Sequence, residues 1–468
     1  MASTSTTTAP AQEDQVACIP NLKLAQHAFL LSRAITSTSS SSLSSPSSST
    51  TDLEATRKAL LQAIEEDGQS IFSSSSTRFG VDDSCARTEM APWLAALTTS
   101  PQTSSSTSST ASTSFNSAIL PPQPDLLARL QRRNKDHLAT LDAQLADAET
   151  NLGETEISDA LKAKALYLAR IGEKDLAVKA HLHALDKTAG KGSKIDLRLA
   201  IIRIGFFHGD HNLIQDNIEK TRILVEEGGD WDRRNRLKAY EGLYLLSIRN
   251  FKKGGQLLLD TLSTFTATEL IDYDDFVALC VLSGALMLER KDLKKKVGAI
   301  VLFHHCLDTD RLILQPPQII EAPEVIALIP TRPTLKDYCE SLWRCDYAAF
   351  FKALAIVEES HLLPARLLSV HSRYYVREMR IKAYAQLLES YRSVTLASLS
   401  NAFGVSQDFI DADLARFISA GRLNCSIDRV NSVVETNRPD AKNARYASVI
   451  KKGDLVLNSV QRLSRVIG

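Results

Sequence analysis

Neither sign of charge is in excess: 55 lysines and arginines stand against 55 aspartates and glutamates over 468 residues. Such a chain lacks the general attraction to phosphate that a dedicated nucleic-acid or anionic-membrane binder carries, so any such partner would need a local patch. Cysteine is scarce. Cys18, Cys85, Cys280, Cys306, Cys339, Cys345 and Cys425 are odd in number and have no paired spacing, which suits a reducing compartment and argues against a secreted disulfide scaffold. Long apolar runs are missing too. The longest, Phe276 to Leu288, spans 13 residues including Ser283 and Gly284, short of the roughly 20 that a membrane-spanning helix needs, and it is expected to be a core helix. The opening residues Met1-Ala2-Ser3-Thr4 carry neither the basic nor the apolar region of a signal peptide, so the chain is expected to begin in the cytosol. Aromatics make up only 6%, while leucine and alanine are plentiful, a balance that favours a mostly α protein over a sandwich or barrel.

Composition changes near residue 119. Fourteen of the 16 residues from Thr36 to Thr51 and 14 of the 17 from Thr98 to Ser114 are Ser or Thr, and Ser73 to Thr77 repeats the habit. These tracts bury too little apolar surface to offset the entropy of ordering and read as disordered insertions. Between them, Leu22, Leu24, Phe29 and Leu30, and then Leu53, Leu60, Leu61 and Ile64, have the spacing of short amphipathic helices. From Asp125 onward helix follows helix. Leu126, Leu127, Leu130, Leu138, Leu141 and Leu145 line a charged one. Turns then recur at Gly172–Leu176, Gly209–Leu213, Arg249–Phe251 and Arg290–Leu293, placing an apolar residue at 176, 213, 251 and 293. Intervals of 37, 38 and 42 residues match the roughly 34 to 47 of helix-pair repeats. A solenoid of TPR-like helical hairpins is therefore expected, because one hairpin cannot bury its apolar face alone. After Ser393 the pattern changes: a helix through Leu396, Leu399 and Phe403 ending at Gly404, a second capped by Ser406 and running through Phe409, Ile410, Leu414, Phe417 and Ile418 to Gly421, then strands Leu423–Ile427 and Val430–Thr436 around Asp428-Arg429. Helix, turn, helix, hairpin is a winged helix. Pro439 breaks the chain before one last helix, Ala441 to Ile467.

Catalytic and ligand motifs do not assemble. His181 and His183 form a His-x-His pair, yet they fall inside a helical run, Asp175 to Lys187, where i and i+2 point apart, and the downstream Ser, Asp and Glu of a zinc isopeptidase lack the required spacing. His304, His305 and Cys306 are consecutive on an expected helix and cannot converge on one ion unaided. Cys339 and Cys345 lie six apart, which suits buried thiols better than a zinc knuckle. Gly190-Lys191-Gly192-Ser193 lacks the earlier glycine and the Lys-Ser/Thr step of a phosphate loop and reads as a helix-joining turn. No nucleophile elbow or dinucleotide fingerprint appears. No catalytic residue, metal, cofactor or small-molecule ligand is expected. On the second helix of the winged helix, 407–420, Asp408, Asp411 and Asp413 outnumber Arg416. That balance would repel phosphate, so a protein-binding module is expected in place of a DNA reader.

Two protein-binding surfaces can be named. In the last helix Val449, Val456 and Leu463 recur every seven residues, with Tyr446, Gly453, Val460 and Ile467 at the partnering heptad position, and Ile450 and Leu457, joined by Leu455 and Val466, widen the stripe beyond what one neighbour would cover. The hairpin residues Leu423, Cys425, Ile427, Val430 and Val433 are expected to present a strand edge.

Phe206 to Val277 (FFHGDHNLIQDNIEKTRILVEEGGDWDRRNRLKAYEGLYLLSIRNFKKGGQLLLDTLSTFTATELIDYDDFV), Cys345 to Phe351, the winged helix, and Asn437 to Ile467 (NRPDAKNARYASVIKKGDLVLNSVQRLSRVI) closely resemble the non-ATPase regulatory subunit 6 family of the proteasome regulatory-particle lid. The resemblance covers nearly everything after Asp125. It implies a PCI domain, helical repeats ending in a winged helix, through which lid subunits associate side by side, a terminal helix that joins a bundle of partner helices, no catalysis, and a place in cytoplasm and nucleus. The domains expected on this basis are an N-terminal region at 1–119, helical repeats at 120–360, the winged-helix end at 361–438 of a PCI domain covering about 255–438, and a bundle helix at 439–468. The related signalosome subunit 1 family shares the architecture, and the tail from Asn437 favours the proteasome. Two features depart from the family pattern: the Ser/Thr tracts cut the N-terminal region, and Gly254-Gly255 replace small helix formers, at roughly 1 kcal/mol each unless a tight helix approach requires them.

Overall fold

Apolar periodicity from Leu22 onward becomes helix almost wherever it was expected. The computed structural model describes residues 18–40, 54, 56–58, 60–61, 64, 90–98, 120–121, 124–151, 153–287, 332–437 and 441–467. The expected turn at 290–293, the His304-His305-Cys306 run, Leu53 and most of the Ser/Thr tracts lie outside these residues. The chain divides into two units, residues 1–287 with 363–370, and residues 288–362 with 371–468.

In the first unit α1 (Leu22–Ser40) continues five residues into the tract expected to be disordered from Thr36. A helix under way adds one hydrogen bond per residue fixed, so propagation carries it past the point where composition turns polar. Helix α2 is Ala91–Thr98. Leu24, Ala28 and Leu31 of α1, Leu60, Ile64, and Trp93 and Leu94 of α2 share one core with Leu130 and Phe207. The N-terminal helices therefore fold onto the repeats, and the turn at Gly172 lies close beneath them: a Cβ there would come 3.2 Å from the Trp93 Cβ.

The repeats follow as α3 (Pro124–Asn151), α4 (Glu154–Arg170), α5 (Lys174–Lys187), α6 (Lys191–His208), α7 (His211–Glu226), α8 (Trp231–Ser247), α9 (Phe251–Asp260) and α10 (Tyr273–Met287). Short loops make α4–α5, α6–α7 and α8–α9 into hairpins, and each packs on the next through α5–α6, α7–α8 and α9–α10, with α6 also meeting α8. The turns carry the conformations their sequences suggest. Gly172 and Gly209 have positive φ, and Asp210 caps α7 by accepting from the backbone N–H groups of Asn212 and Leu213. Lys174 donates to Asp210 at 2.8 Å and Arg233 to Asp196 at 2.8 Å, so polar contacts join neighbouring hairpins one repeat period apart. Burial opposes ionisation of Asp210, but Lys174 and the two N–H donors outweigh it and hold the carboxyl below its ordinary range. The segment 363–370 is fixed within this unit by Arg366, which donates to the Phe206 and Phe207 carbonyls (2.7 and 2.9 Å) at the C-terminal end of α6. Burial pushes that guanidinium down to about 10.

The second unit contains α11 (Pro333–Arg344), α12 (Tyr347–Val357), α13 (Ser372–Leu388), β1 (Ser393–Thr395), α14 (Leu396–Phe403), α15 (Gln407–Ser419), β2 (Cys425–Asp428), β3 (Val433–Thr436) and α16 (Ala441–Ile467). Phe403 is the hub of its aromatic core, with ring centroids 4.7–5.0 Å from Tyr347, Phe351 and Tyr384. Two expectations for the hairpin are corrected. Its strands are shorter, and the turn is residues 429–432, where Asp428 accepts from the N–H of Val430 and Asn431 and Ser432 takes a positive φ. Ser393–Thr395 adds a strand that the sequence did not announce, giving the antiparallel order β1-β3-β2 with β3 in the centre.

Candidate interaction surfaces

Helix α16 places its apolar stripe in water. Tyr446, Val449, Ile450, Leu455, Val456, Leu457, Val460 and Leu463 are each 58–67% exposed, and every described side chain of the helix is exposed. Ile467 closes the helix; its side chain lies outside the described set. The 3–4 spacing that makes a heptad seam therefore has no cover inside this chain among the described residues. A Cβ on Gly453, in the middle of the seam, would meet nothing within 4 Å, in keeping with the exposure of the described residues around it. Burying such a stripe at about 25 cal/mol per Å² of apolar surface is a strong drive toward partner helices.

The winged helix offers a different kind of surface. Leu423 and Cys425 are buried, each 7% exposed, so their side chains serve the core, and what β2 presents outward is a backbone edge with no strand partner among the described residues. Val433 is half-buried on the central strand, where β1 and β2 already occupy both edges. Ile427 is half-buried, and Val430 at the tip of the wing is 92% exposed, held out by the Asp428 turn. Of the five hairpin residues named from sequence, Val430 is thus the one whose side chain is offered freely.

On α15, Asp413 is buried and accepts from Arg380 at 2.8 Å, while Asp411 pairs with Arg429 at 2.9 Å. Two of the three carboxylates are therefore neutralised by neighbours, and repulsion of phosphate by this helix is weaker than the bare count implies. The third carboxylate, Asp408, is exposed on α15 together with Arg416 and with Phe409, 41% open beneath the Arg380 guanidinium (5.7 Å). Phe409, Ile410, Leu414, Phe417 and Ile418 continue the helix as the sequence suggests, and of these Phe409 is the exposed one.

Candidate ligand residues do not converge. His181 is buried on α5 with Nδ1 donating to the Ala177 carbonyl at 2.8 Å, and burial pushes it down to about 4. Cys339 is buried and pushed up to about 12 by desolvation, whereas Cys345, at the left-handed C-terminal end of α11, is half-buried rather than buried. Gly190 is the N-cap of α6, so Lys191, Gly192 and Ser193 belong to a helix. Among the described residues, no group of three or more His, Cys, Asp or Glu side chains is placed to hold a metal ion, and no helix is long and apolar enough to cross a membrane.

Comparison with known proteins follows the same segments. A profile described as 26S proteasome subunit RPN7 matches residues 123–296, the PCI domain matches 335–438, and a profile described as the 26S proteasome regulatory subunit RPN7/PSMD6 C-terminal helix matches 445–467. The chain is 46% identical over 349 residues to the 26S proteasome non-ATPase regulatory subunit 6 of Oryza sativa, covering 75% of this chain and 84% of that one. It is also 46% identical to the protein of the same name from Dictyostelium discoideum, covering 73% and 84%. To COP9 signalosome complex subunit 1 of Arabidopsis thaliana it is 23% identical, covering 47% and 45%.

Proposed function

The chain belongs to the family of the 26S proteasome subunit RPN7, or non-ATPase regulatory subunit 6, and from that premise we propose that it is a non-catalytic scaffold subunit of the regulatory-particle lid, supporting ATP-dependent degradation of ubiquitinated proteins. Its partners in this reading are other PCI-domain subunits, met through the winged helix, and a bundle of their helices, met through α16. It takes no cofactor, small-molecule ligand, nucleic acid or membrane, and it works in cytoplasm and nucleus. The repeats at 120–360, the PCI domain at about 255–438 with its winged-helix end at 361–438, and the bundle helix at 439–468 are the parts that divide this work.

One observation carries the reading: the family's C-terminal helix profile falls on the helix whose apolar stripe is uncovered. Tyr446, Val449, Ile450, Val456, Leu457, Val460, Leu463 and Ile467 are the residues assigned to that contact. The test is affinity purification of the tagged full chain, with identification of the co-purifying chains, set beside Val456→Asp. An unpaired carboxylate in the bundle costs several kcal/mol in the assembled state but little in the free subunit. The variant is expected to be soluble, with unchanged melting temperature, and absent from the lid. Normal assembly, or loss of stability in the isolated subunit, would make α16 an internal element and refute the scaffold contact.

A further inference from the structure

Helix α16 is basic on a chain whose total charge is zero. Lys442, Arg445, Lys451, Lys452, Arg462 and Arg465 stand against the single acid Asp454, a net +5 within 27 residues, so the remainder of the chain carries a net −5. The positions of these charges in the heptad are informative. With Tyr446, Gly453, Val460 and Ile467 at a and Val449, Val456 and Leu463 at d, the e positions are Ile450, Leu457 and Ser464, and the g positions are Arg445, Lys452, Ser459 and Val466. One flank of the seam is thus apolar or neutral, the other opens on two cations, and no acid occupies either. In helical bundles the e and g residues select partners, since opposite charges across the seam steer and orient while like charges repel.

We propose that α16 takes acidic amphipathic helices as its partners, with Glu or Asp facing Arg445 and Lys452 across the seam. The proposal rests on the bundle reading above and adds the chemistry of the partner. A second copy of α16 does not fit: a parallel pair sets Arg445 and Lys452 against Ile450 and Leu457 of the other copy and brings two helices of +5 together. A basic amphipathic helix can also lie on an anionic lipid surface. Here Tyr446, Val460 and Ile467 at a and Val449, Val456 and Leu463 at d keep 3–4 spacing over three heptads beside the wider line of Ile450 and Leu457, and Gly453 stands at the central a position. That pattern suits knobs packed into the holes of another helix, whereas a lipid surface asks only for a broad apolar face.

Two designed helical peptides of identical length test this, both with Leu at a and d, one with Glu and the other with Lys at e and g. Each is titrated against the full-length chain by fluorescence anisotropy, with vesicles of phosphatidylcholine and phosphatidylserine as competitor and sedimentation as a measure of self-association. The Glu peptide is expected to bind roughly tenfold more tightly than the Lys peptide at low ionic strength. That preference should shrink as salt is raised and reverse in Arg445→Glu/Lys452→Glu. Val456→Asp should lose both peptides. Equal binding of the two peptides, binding of neither, self-association tighter than the Glu peptide, or displacement of that peptide by the vesicles overturns the acidic-partner proposal. Undiminished peptide binding by Val456→Asp has a different meaning: the seam itself is then unused, and the bundle reading falls with it.

Discussion

Gly242, Gly254 and Gly255 sit where helices approach too closely for a methyl group. A Cβ on Gly254 would come 2.9 Å from the Gly242 carbonyl oxygen and 3.1 Å from the Leu245 Cβ, and one on Gly255 would come 3.0 Å from the Ser283 Cβ. The pair is the means by which α8, α9 and α10 reach contact distance. Gly254→Ala should gain about 1 kcal/mol of helix propensity and lose more to overpacking, for a net destabilisation of about 1–2 kcal/mol in the unfolding free energy measured by urea titration. Gly453→Ala, with open space around it, should instead raise the helicity of α16. Titration gives a second residue-level expectation. His181 binds its proton near 4 when folded, because it is desolvated, and near 6.5 when unfolded. Between those values the unfolded state carries more protons, so stability is lost as pH falls from 6.5 toward 4. Unfolding measured at pH 7 and pH 5 should differ by on the order of 1–2 kcal/mol through this group. His181→Asn, which removes the titration, should reduce the difference; an unchanged difference would contradict the assigned burial.

At the scale of elements, the turns were legible because glycine and asparagine mark them: Gly172, Gly209 and Gly404 hold positive φ, and Asn250 caps α9. The repeat interval was legible for the same reason, and Lys174–Asp210 and Asp196–Arg233 show it as contacts 36 and 37 residues apart. Strand β1 was not legible. Ser393-Val394-Thr395 is too short to display alternation, and its place is set by pairing with Val433–Glu435. The hairpin turn moved because the Asp428 side chain organises four residues where the sequence suggested two. Alternation assigned Leu423 and Cys425 to one face of a strand without revealing that this face is the packed one. Val430 escapes that ambiguity by standing at the tip. Val430→Asp should leave unfolding free energy within about 0.5 kcal/mol of the parent while weakening association with a neighbouring winged helix in a pull-down. A large stability loss would place Val430 in the fold and remove it from the interface.

For the whole molecule, the decisive contrast among the described helices lies between those that bury a face inside the chain and α16, which does not. From α4 to α10 each helix contributes buried apolar side chains to its unit, whereas the described part of α16 contributes none. The heptad seam was visible in the sequence as a pattern; that it faces water could come only from the structure, since a seam packed on its own domain has the same spacing. In proteins most helical stability comes from tertiary packing of an amphipathic face, and the described part of α16 has no such packing inside the chain. Helix α16 should therefore exchange its amide hydrogens rapidly in the free subunit and slowly once assembled. Truncation after Asn437 should follow the same logic. Removing residues 438–468 takes away no described core side chain, so the melting temperature of the remainder should stay within about 2 °C, circular dichroism should lose only the signal of α16, and incorporation into the complex should fail. A truncated chain that still assembles would assign the holding contact to the winged helix alone, and one that melts early would show that α16 folds back on its own unit.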